Sequence, residues 1–412
     1  MNKELSGILK LNRSMQNITI ASIADELNIN SSQISKIEHG NEKSQKKIMQ
    51  IMNVLDINYN NVTEISNQIT TLSKSIFMDI YFCENEEKIK LNINKLNQLI
   101  NDNFYTFDSL LINIIYSISF AHINEKIIHY ISTLEDSLEY LTYKQKQLYF
   151  QYTAIYHITY GNVKLAKYFL EEARSITFDD YSKSLLLYHS ALIHIKTKQI
   201  IKSTENIIEA KNLFDKLNNN IMSNRCLLIK ARIAMQDSCY DYSRDILNYL
   251  LSIYKRTNAS DAAIAEALNQ KLNIFILEKK YNDFLNEIKN IDLKYKEILE
   301  QDTIYNFNLS IAYYFVNLKE DCIYYCNKTK YTHPNPIIDN VINYFLFKMR
   351  SPKKNLRKAL SFLNKSLKLS EKYLDFSYYT LINELIIDEY LFINNYEQAC
   401  KYLQKLSNNS SF

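Results

Sequence analysis

Ser32, Gln33, Ser35 and Lys36 form a run of short or flexible hydrogen-bonding side chains with no apolar patch among them. On a helix whose buried side is Ile34 and Ile37, these four groups point outward together. Hydroxyl, carboxamide and ammonium groups held on one exposed face can read base edges and contact phosphate oxygens. A second pair able to do chemistry is Asn269 and Asn273, one helical turn apart. Each carboxamide both donates and accepts, so the two can pair with the N–H and C=O groups of an extended backbone.

The elements that must position the first set lie between Ile20 and Gly40. Ile20, Ile23, Ala24 and Leu27 recur at helical spacing, and Asn28-Ile29-Asn30 then breaks the pattern, leaving Ile29 as the apolar plug of a turn. Ser31 is a suitable N-cap for the helix that follows. Two short helices around a tight turn have the geometry that lays a helix into the DNA major groove.

Ala24, Asn28, Ile29 and the run Ile34-Ser-Lys-Ile-Glu-His-Gly40 resemble the phage-repressor (Xre-type) helix-turn-helix domain. The resemblance implies five short helices over about residues 3–65, with base contacts from Ser31, Ser32, Gln33 and Lys36. It also implies a phosphate clamp at the start of the first motif helix, around Thr19 and Ile20. Two positions depart from the family pattern. Asn28 replaces the usual turn glycine, a tolerable exchange because Asn reaches left-handed backbone angles readily. Ile20 replaces a polar phosphate contact and leaves the clamp to backbone amides at a helix N-terminus.

Composition sets the rest of the frame. A chain of 412 residues with 3 Gly and 3 Pro has little turn chemistry for strands, so an all-α protein is expected. The 33 Tyr and 19 Phe supply core bulk where Trp is absent. Met1-Asn2-Lys3-Glu4 runs straight into an amphipathic helix with no signal-peptide pattern. The most apolar window, 110–123, is shorter than the ~20 residues of a membrane span. A cytoplasmic location without membrane contact is therefore expected. Cys83, Cys226, Cys239, Cys322, Cys326 and Cys400 lack metal-ligand spacing, and no cofactor or metal is expected. No glycine-rich phosphate loop or recognisable nucleophile setting points to an enzyme. Residues 1–56 carry seven basic against six acidic side chains, too weak a balance for one headpiece to hold DNA. A homodimer that doubles the contacts follows.

An internal period runs behind the headpiece. Ala166, Ser203, Ser243, Phe284, Cys322, Ala359 and Ala399 are separated by steps of 37 to 41 residues. All but Phe284 are small, as a close crossing of two helices requires. Turn-and-aromatic patterns precede several of them: Gly161-Asn162, Cys239-Tyr240-Asp241, Lys280-Tyr281-Asn282 and Asn395-Tyr396-Glu397. A second small residue lies twelve positions upstream, at Ala154, Ala191, Ala231 and Ser310. This spacing resembles tetratricopeptide repeats, with seven helical hairpins over about 143–407, and Ser351-Pro352-Lys353-Lys354 lengthening one turn.

In such a stack the first helix of each hairpin lines a groove. The fifth and ninth positions of those helices are Gln151 and Ile155, Tyr188 and Leu192, Leu228 and Arg232, and Asn269 and Asn273. Phe307 and Ile311, Tyr344 and Lys348, and Glu384 and Asp388 complete the row. From this row Tyr188, Arg232, Asn269, Asn273, Phe307, Tyr344, Lys348, Glu384 and Asp388 are the candidate peptide contacts. Headpiece and repeats together resemble the RRNPP group of bacterial peptide-sensing regulators, which includes the PlcR and Rgg proteins and the phage arbitrium receptors. The resemblance implies a quorum-sensing regulator that dimerises, binds an inverted-repeat operator and responds to a short signalling peptide. It also implies that inner-helix asparagines grip the peptide backbone, with Asn269 and Asn273 best placed and Asn306, Asn343 and Asn383 next. The expected domains are a helix-turn-helix domain at 1–65, a linker at 66–76 and a peptide-binding, dimerising repeat domain at 77–412. The rival readings are a DNA-binding adaptor whose repeats dock a protein partner, and a ligand-independent repressor.

Overall fold

The computed structural model describes residues 3–409 apart from 43, 121, 161, 177, 178, 198, 333, 334, 351–354 and 374–377. Gly161 and the Ser351–Lys354 turn lie outside the described residues. Those residues form twenty-three α-helices and two 3-10 turns, with no strand among them. None of these helices is long and apolar enough to cross a membrane. The chain divides into two compact units, one of residues 1–159, 164–189 and 213–222, the other of 160–163, 190–212 and 223–412.

The first unit opens with α1 (Lys3–Met15), α2 (Ile20–Leu27), α3 (Ser31–Glu38) and α4 (Gln45–Val54). Ile8, Leu9, Ile23, Ala24, Ile34, Ile37, Ile48, Ile51 and Met52 close around one core, with Ile20, Leu27 and Ile29 packed at its edge. After a 3-10 turn, α5 (Val62–Tyr81) runs as one continuous helix. Residues 66–76, expected as a linker, therefore sit inside a helix. Ile69, Ser73 and Ile76 recur at helical spacing and are buried, which gives the segment an apolar stripe to pack. Then follow α6 (Glu86–Asn101), α7 (Phe107–Ser119), α8 (Glu125–Glu135), the second 3-10 turn (Leu138–Tyr140) and α9 (Tyr143–Thr159). Thr106 and Ser109 form a reciprocal capping box at the start of α7.

From here the chain is a succession of hairpins. They are built from α10 (Val163–Ser175), α11 (Asp180–Lys196), α12 (Ile200–Lys216), α13 (Asn220–Gln236), α14 (Tyr240–Thr257) and α15 (Asp261–Leu277). Next come α16 (Tyr281–Lys289), α17 (Leu293–Leu299), α18 (Thr303–Phe315), α19 (Lys319–Thr332) and α20 (Pro336–Arg350). The last three are α21 (Leu356–Tyr373), α22 (Tyr379–Phe392) and α23 (Tyr396–Asn409).

The periodic small residues sit at the helix crossings, and their polar members make a repeated bond. Ser203 Oγ donates to the Ala191 carbonyl at 2.9 Å, Ser243 Oγ to Ala231 at 3.0 Å, and Cys322 Sγ to Ser310 at 3.6 Å. In each case donor and acceptor are twelve residues apart and the donor is fully buried. Phe284 fills the same slot with a fully buried ring. Its helix is correspondingly irregular: α16 stops at Lys289 and α17 takes over after Asp292.

The turns repeat as closely as the crossings. Ser238, Lys279, Asn317 and Asn394 adopt left-handed backbone angles between the two helices of four hairpins. Asn317 N–H bonds to the Tyr314 carbonyl and Leu318 N–H to Tyr313, and the other three turns show the same two bonds. This is the Schellman pattern, which satisfies the last carbonyls of a helix and needs a residue tolerant of positive φ. Glycine is the usual choice, and this chain has three. Asparagine replaces it: among the described residues, seven of the eleven non-glycine positions with positive φ are Asn.

Asn317→Val should therefore lower stability by about 1–2 kcal/mol, the cost of a β-branched residue in a left-handed slot, while Asn317→Gly should leave it within about 0.5 kcal/mol. Urea midpoints of the two variants measured side by side check this.

Candidate functional site

The headpiece presents α3 with one side in the core and the other in solvent. Ile34 and Ile37 are fully buried, Ser31, Ser32 and Lys36 are exposed, and Gln33 and Ser35 are half-exposed. Helix α3 starts at Ser31 with Asn30 as the residue before it, one position earlier than expected, and no side chain caps it. Asn28 takes the left-handed turn conformation at φ 53°, where its own N–H and that of Ile29 close the end of α2. Thr19 caps the start of α2, its hydroxyl accepting from the Ser22 N–H at 3.0 Å. Helix α2 thus begins at an exposed N-terminus beside α3, where an anion is favoured.

Behind α3 lies a buried ion pair. Glu38, 1% exposed, receives Nε and Nη2 of Arg13 on its two carboxylate oxygens at 2.6 and 3.0 Å. Arg13 also donates to the Ile18 carbonyl. One of the seven basic side chains in the headpiece is thus structural, while Lys36 makes no ion pair among the described residues.

In the second unit, the expected groove row separates into two groups. Phe307 and Tyr344 are core residues, at 0% and 1% exposure, and do not line a surface. The physical reason is that α18 is buried all round from Tyr305 to Ala312, so no face is left for a groove. Phe307 packs edge-on against Tyr378 at 4.9 Å and beside Phe345. Tyr344 donates to Glu389 at 2.7 Å and shares a hydroxyl contact with Tyr314 at 3.2 Å. Burial first, and then Tyr314 and Glu389, push its phenol far above its ordinary pKa.

The remaining row is polar and partnered. Arg232 bonds Glu266 at 3.0 Å, and Lys348 bonds Glu389 at 2.7 Å while lying over the Phe392 ring. Lys279 reaches across 105 residues of sequence to Glu384 at 2.9 Å. Asp388 sits one turn from Glu384. Partial burial, then the Glu384 carboxylate, raise its pKa above the usual carboxylate range. The Tyr281 hydroxyl, stacked on Phe315 at 4.6 Å, is pushed up to about 12 by burial and then by Glu384 and Asp388. Lys279 and Tyr281, with Asp283 and Phe315, line an open cleft of about 440 Å³.

Asn269 and Asn273 both project from α15 and are half-buried. Asn269 Nδ2 donates to Asp302 at 3.1 Å, and its Oδ1 is buried with no partner. Asn273 Oδ1 accepts from Asn308 Nδ2 at 3.2 Å, and the Oδ1 of Asn308 is likewise buried and unpartnered. Asn308 was missed in the sequence because it lies one residue past the fifth position. The signal was present, in a carboxamide set between Phe307 and Leu309 on an otherwise apolar helix. Asn306 and Asn383 are fully buried and turn their amides onto Glu300 and Tyr379 carbonyls, while Asn343 accepts from Lys330.

Tyr188 belongs to the first unit, half-buried with its ring 6.4 Å from Phe214. Beside it, Gln151 is fully buried, accepting from Gln147 at 2.6 Å and bonded to His189 at 2.7 Å. Burial lowers the His189 pKa to about 4.

Helical hairpins joined by Schellman turns and crossed at small residues define a protein of tetratricopeptide-like repeats. Solved structures share this architecture. A Rap protein complexed with competence and sporulation factor superposes with a TM-score of 0.68 at 13% identity, covering 83% of this chain and 97% of that one. The Rap conjugation gene regulator of the plasmid pLS20, in complex with the Phr* peptide, gives 0.55 at 11% identity, covering 83% and 93%. Aspartyl phosphate phosphatase F from Bacillus subtilis gives 0.53 at 12% identity, covering 82% and 93%. At such identities the likeness speaks for the fold. No family model and no curated relative matches the sequence.

The raised pKa of Asp388 fixes the sign of one pH effect. The folded state favours the protonated acid, so the contribution to stability is full below the unfolded pKa and lost as pH rises through the folded one. Asp388→Asn should raise the urea midpoint at about pH 7, and the gain should vanish by about pH 3, below the ordinary carboxylate range.

Proposed function

We propose that this chain is a DNA-binding transcription regulator of the RRNPP type whose repeats bind a short signalling peptide that switches DNA binding. In this reading it acts in the cytoplasm by binding, not catalysis, and works as a homodimer on an inverted-repeat operator. Ser31, Ser32, Gln33, Ser35 and Lys36 contact base edges and backbone. Thr19 and the first amides of α2 hold a phosphate. Arg232, Asn269, Asn273, Lys348, Glu384 and Asp388 form the peptide contacts. Lys348 acts within its ion pair with Glu389. Residues 1–65 serve as the DNA-binding domain and the hairpins that follow as the sensor and dimer domain.

The observation that carries the reading furthest is the asparagine cluster. Asn269, half-buried on α15 one turn from Asn273, buries a carboxamide oxygen that has no hydrogen bond among the described residues. Buried acceptors left unpaired cost roughly 1–3 kcal/mol, so a ligand N–H supplied there is strongly favoured. A peptide backbone offers such N–H groups at regular spacing, and the neighbouring Nδ2 groups can donate to its carbonyls. Two of the structurally similar Rap proteins are described with bound factors or peptides, which supports the same ligand class here.

The switch is a population shift. A peptide that binds one arrangement of the hairpins more tightly moves the equilibrium towards it, and small rotations add from hairpin to hairpin. The summed displacement alters the separation of the two headpieces. Half-sites lie one helical turn apart, ~10 base pairs, so a few ångströms decide whether both headpieces dock.

The deciding experiment is calorimetric titration of the purified chain with synthetic peptides from the C-terminus of a neighbouring small secreted reading frame. Binding at one peptide per chain with micromolar or tighter affinity is expected. No heat from any peptide, with DNA binding intact, would favour the adaptor or the ligand-independent repressor. Asn269→Ala combined with Asn273→Ala should weaken the peptide by about 1–3 kcal/mol, two hydrogen bonds' worth. Lys36→Ala should weaken operator binding by about 1–3 kcal/mol while leaving peptide affinity unchanged, as gel shift and calorimetry on the same preparation would read.

A further inference from the structure

We infer that the headpiece is docked rigidly on α7 and the 3-10 turn at Leu138–Tyr140, with Tyr140 positioning α3, so that operator half-site spacing is fixed by the repeats. The spacing consequence rests on the DNA-binding reading above; the docking itself does not.

Four ties hold the headpiece, and a fifth, through Tyr140, holds α3. Gly7 on α1 packs directly on two rings: a Cβ there would lie 2.8 Å from Phe107 Cε2 and 2.9 Å from Tyr140 Cγ. Those rings stack on each other at an interplanar angle of 4°. Only a residue without a side chain permits that approach. Asn12, 1% exposed, pairs its carboxamide with both backbone groups of Tyr105, donating to the carbonyl at 2.9 Å and accepting from the N–H at 2.8 Å. A two-point pairing of this kind fixes register as a ladder does and forbids sliding. Lys10 donates to the Asp136 carbonyl at 3.0 Å and lies over the Tyr140 ring at 5.2 Å. Phe104, 4% exposed, is inserted into the headpiece core itself.

Tyr140 carries the tie to α3. Its hydroxyl donates to the carbonyl of Glu38, the last residue of that helix, at 2.9 Å. The Glu38 side chain is in turn held by Arg13, which also holds the Ile18 carbonyl just ahead of α2. The two motif helices and the 3-10 turn are thus joined through one buried and three part-buried hydrogen bonds. The far end of α5 is also secured: Asn219 donates to the Tyr81 carbonyl at 2.8 Å, and the Tyr81 hydroxyl meets Ser184 Oγ at 3.1 Å. A headpiece on a flexible tether would need none of these bonds and would expose the glycine face.

Two readouts on the full-length chain test this. The Tyr105 amide is held by a headpiece side chain, so deuterium uptake over residues 102–106 reports docking directly. Wild type should exchange slowly there. Gly7→Leu, which keeps a good helix former in α1 but forces the rings away, should speed that exchange by about tenfold or more. Tyr140→Phe, which keeps the ring and removes one bond, should act in the same direction with a smaller effect and guards against loss of folding in the leucine variant. Fast exchange in wild type, or no change in either variant, overturns the docking. The second readout is selection from duplexes with a random stretch of about 40 base pairs, roughly four helical turns. Wild type should enrich one half-site spacing and the variants several. The same single spacing in all three overturns the positioning role of Tyr140. If wild type enriches no duplex while 102–106 stays protected, the DNA reading and the spacing claim fall together and the docking stands.

Discussion

Where two helices of a hairpin cross, a serine or cysteine on the second gives its hydrogen to a carbonyl of the first, twelve residues back. The bond requires backbones close enough that nothing larger than a hydroxyl or thiol fits between them, and the residue opposite is Ala191, Ala231 or Ser310. Because the carbonyl already serves its own helix, the added donor uses its second lone pair and leaves the helix intact. Such a contact sets how near the helices lie and at which residue they cross. Spacing between hairpins, and the faces left for ligands, follow from those two quantities. Phe284 shows the alternative. There a buried ring fills the slot, and the second helix is two short pieces on either side of Asn290.

The left-handed turn residue complements the crossing. In the four hairpins with the Schellman pattern, the second helix starts with the N–H of the crossing residue, or its equivalent, bonded to the residue just after the turn. Turn and crossing therefore lie a fixed distance apart in sequence, five residues at Ser238–Ser243, Lys279–Phe284, Asn317–Cys322 and Asn394–Ala399. Local backbone geometry and helix packing reinforce one another, which is the consistency expected of a sequence with one favoured fold.

This explains which features could be read from the chain. The crossing residues are local signals with a fixed spacing, and Ser203, Ser243 and Cys322 are where that spacing put them. Asn28 could be read as a left-handed turn because few residues tolerate that conformation. The groove was harder. Counting from the crossing residue gave Phe307 and Tyr344, but α18 and α20 are covered on more than one side, and apolar periodicity does not tell a helix with one buried face from a helix with two. Asn308 falls one position past the counted fifth residue. The 66–76 stretch is ambiguous by composition: its Ser, Thr and Asn residues suit a linker or a connecting helix, and Ile69 and Ile76 carry the helix through it. The pairing of Asn12 with Tyr105 has no local signal at all, since its partners lie 93 residues apart.

Asparagine in the left-handed turns has a consequence for how such a chain can change over generations. Each hairpin of about forty residues commits few positions: one that tolerates positive φ, one small residue at the crossing and its small counterpart. The φ-positive slot accepts Asn, Gly or, at some cost, Lys and Ser, and so its identity can alternate without moving the backbone. Core positions between those points need only be apolar and of suitable volume. Two lineages can therefore keep the same stack of hairpins while sharing few letters. For a protein built this way, kinship is written in the interval between its turns and crossings, and letter-by-letter comparison is a poor instrument for finding it.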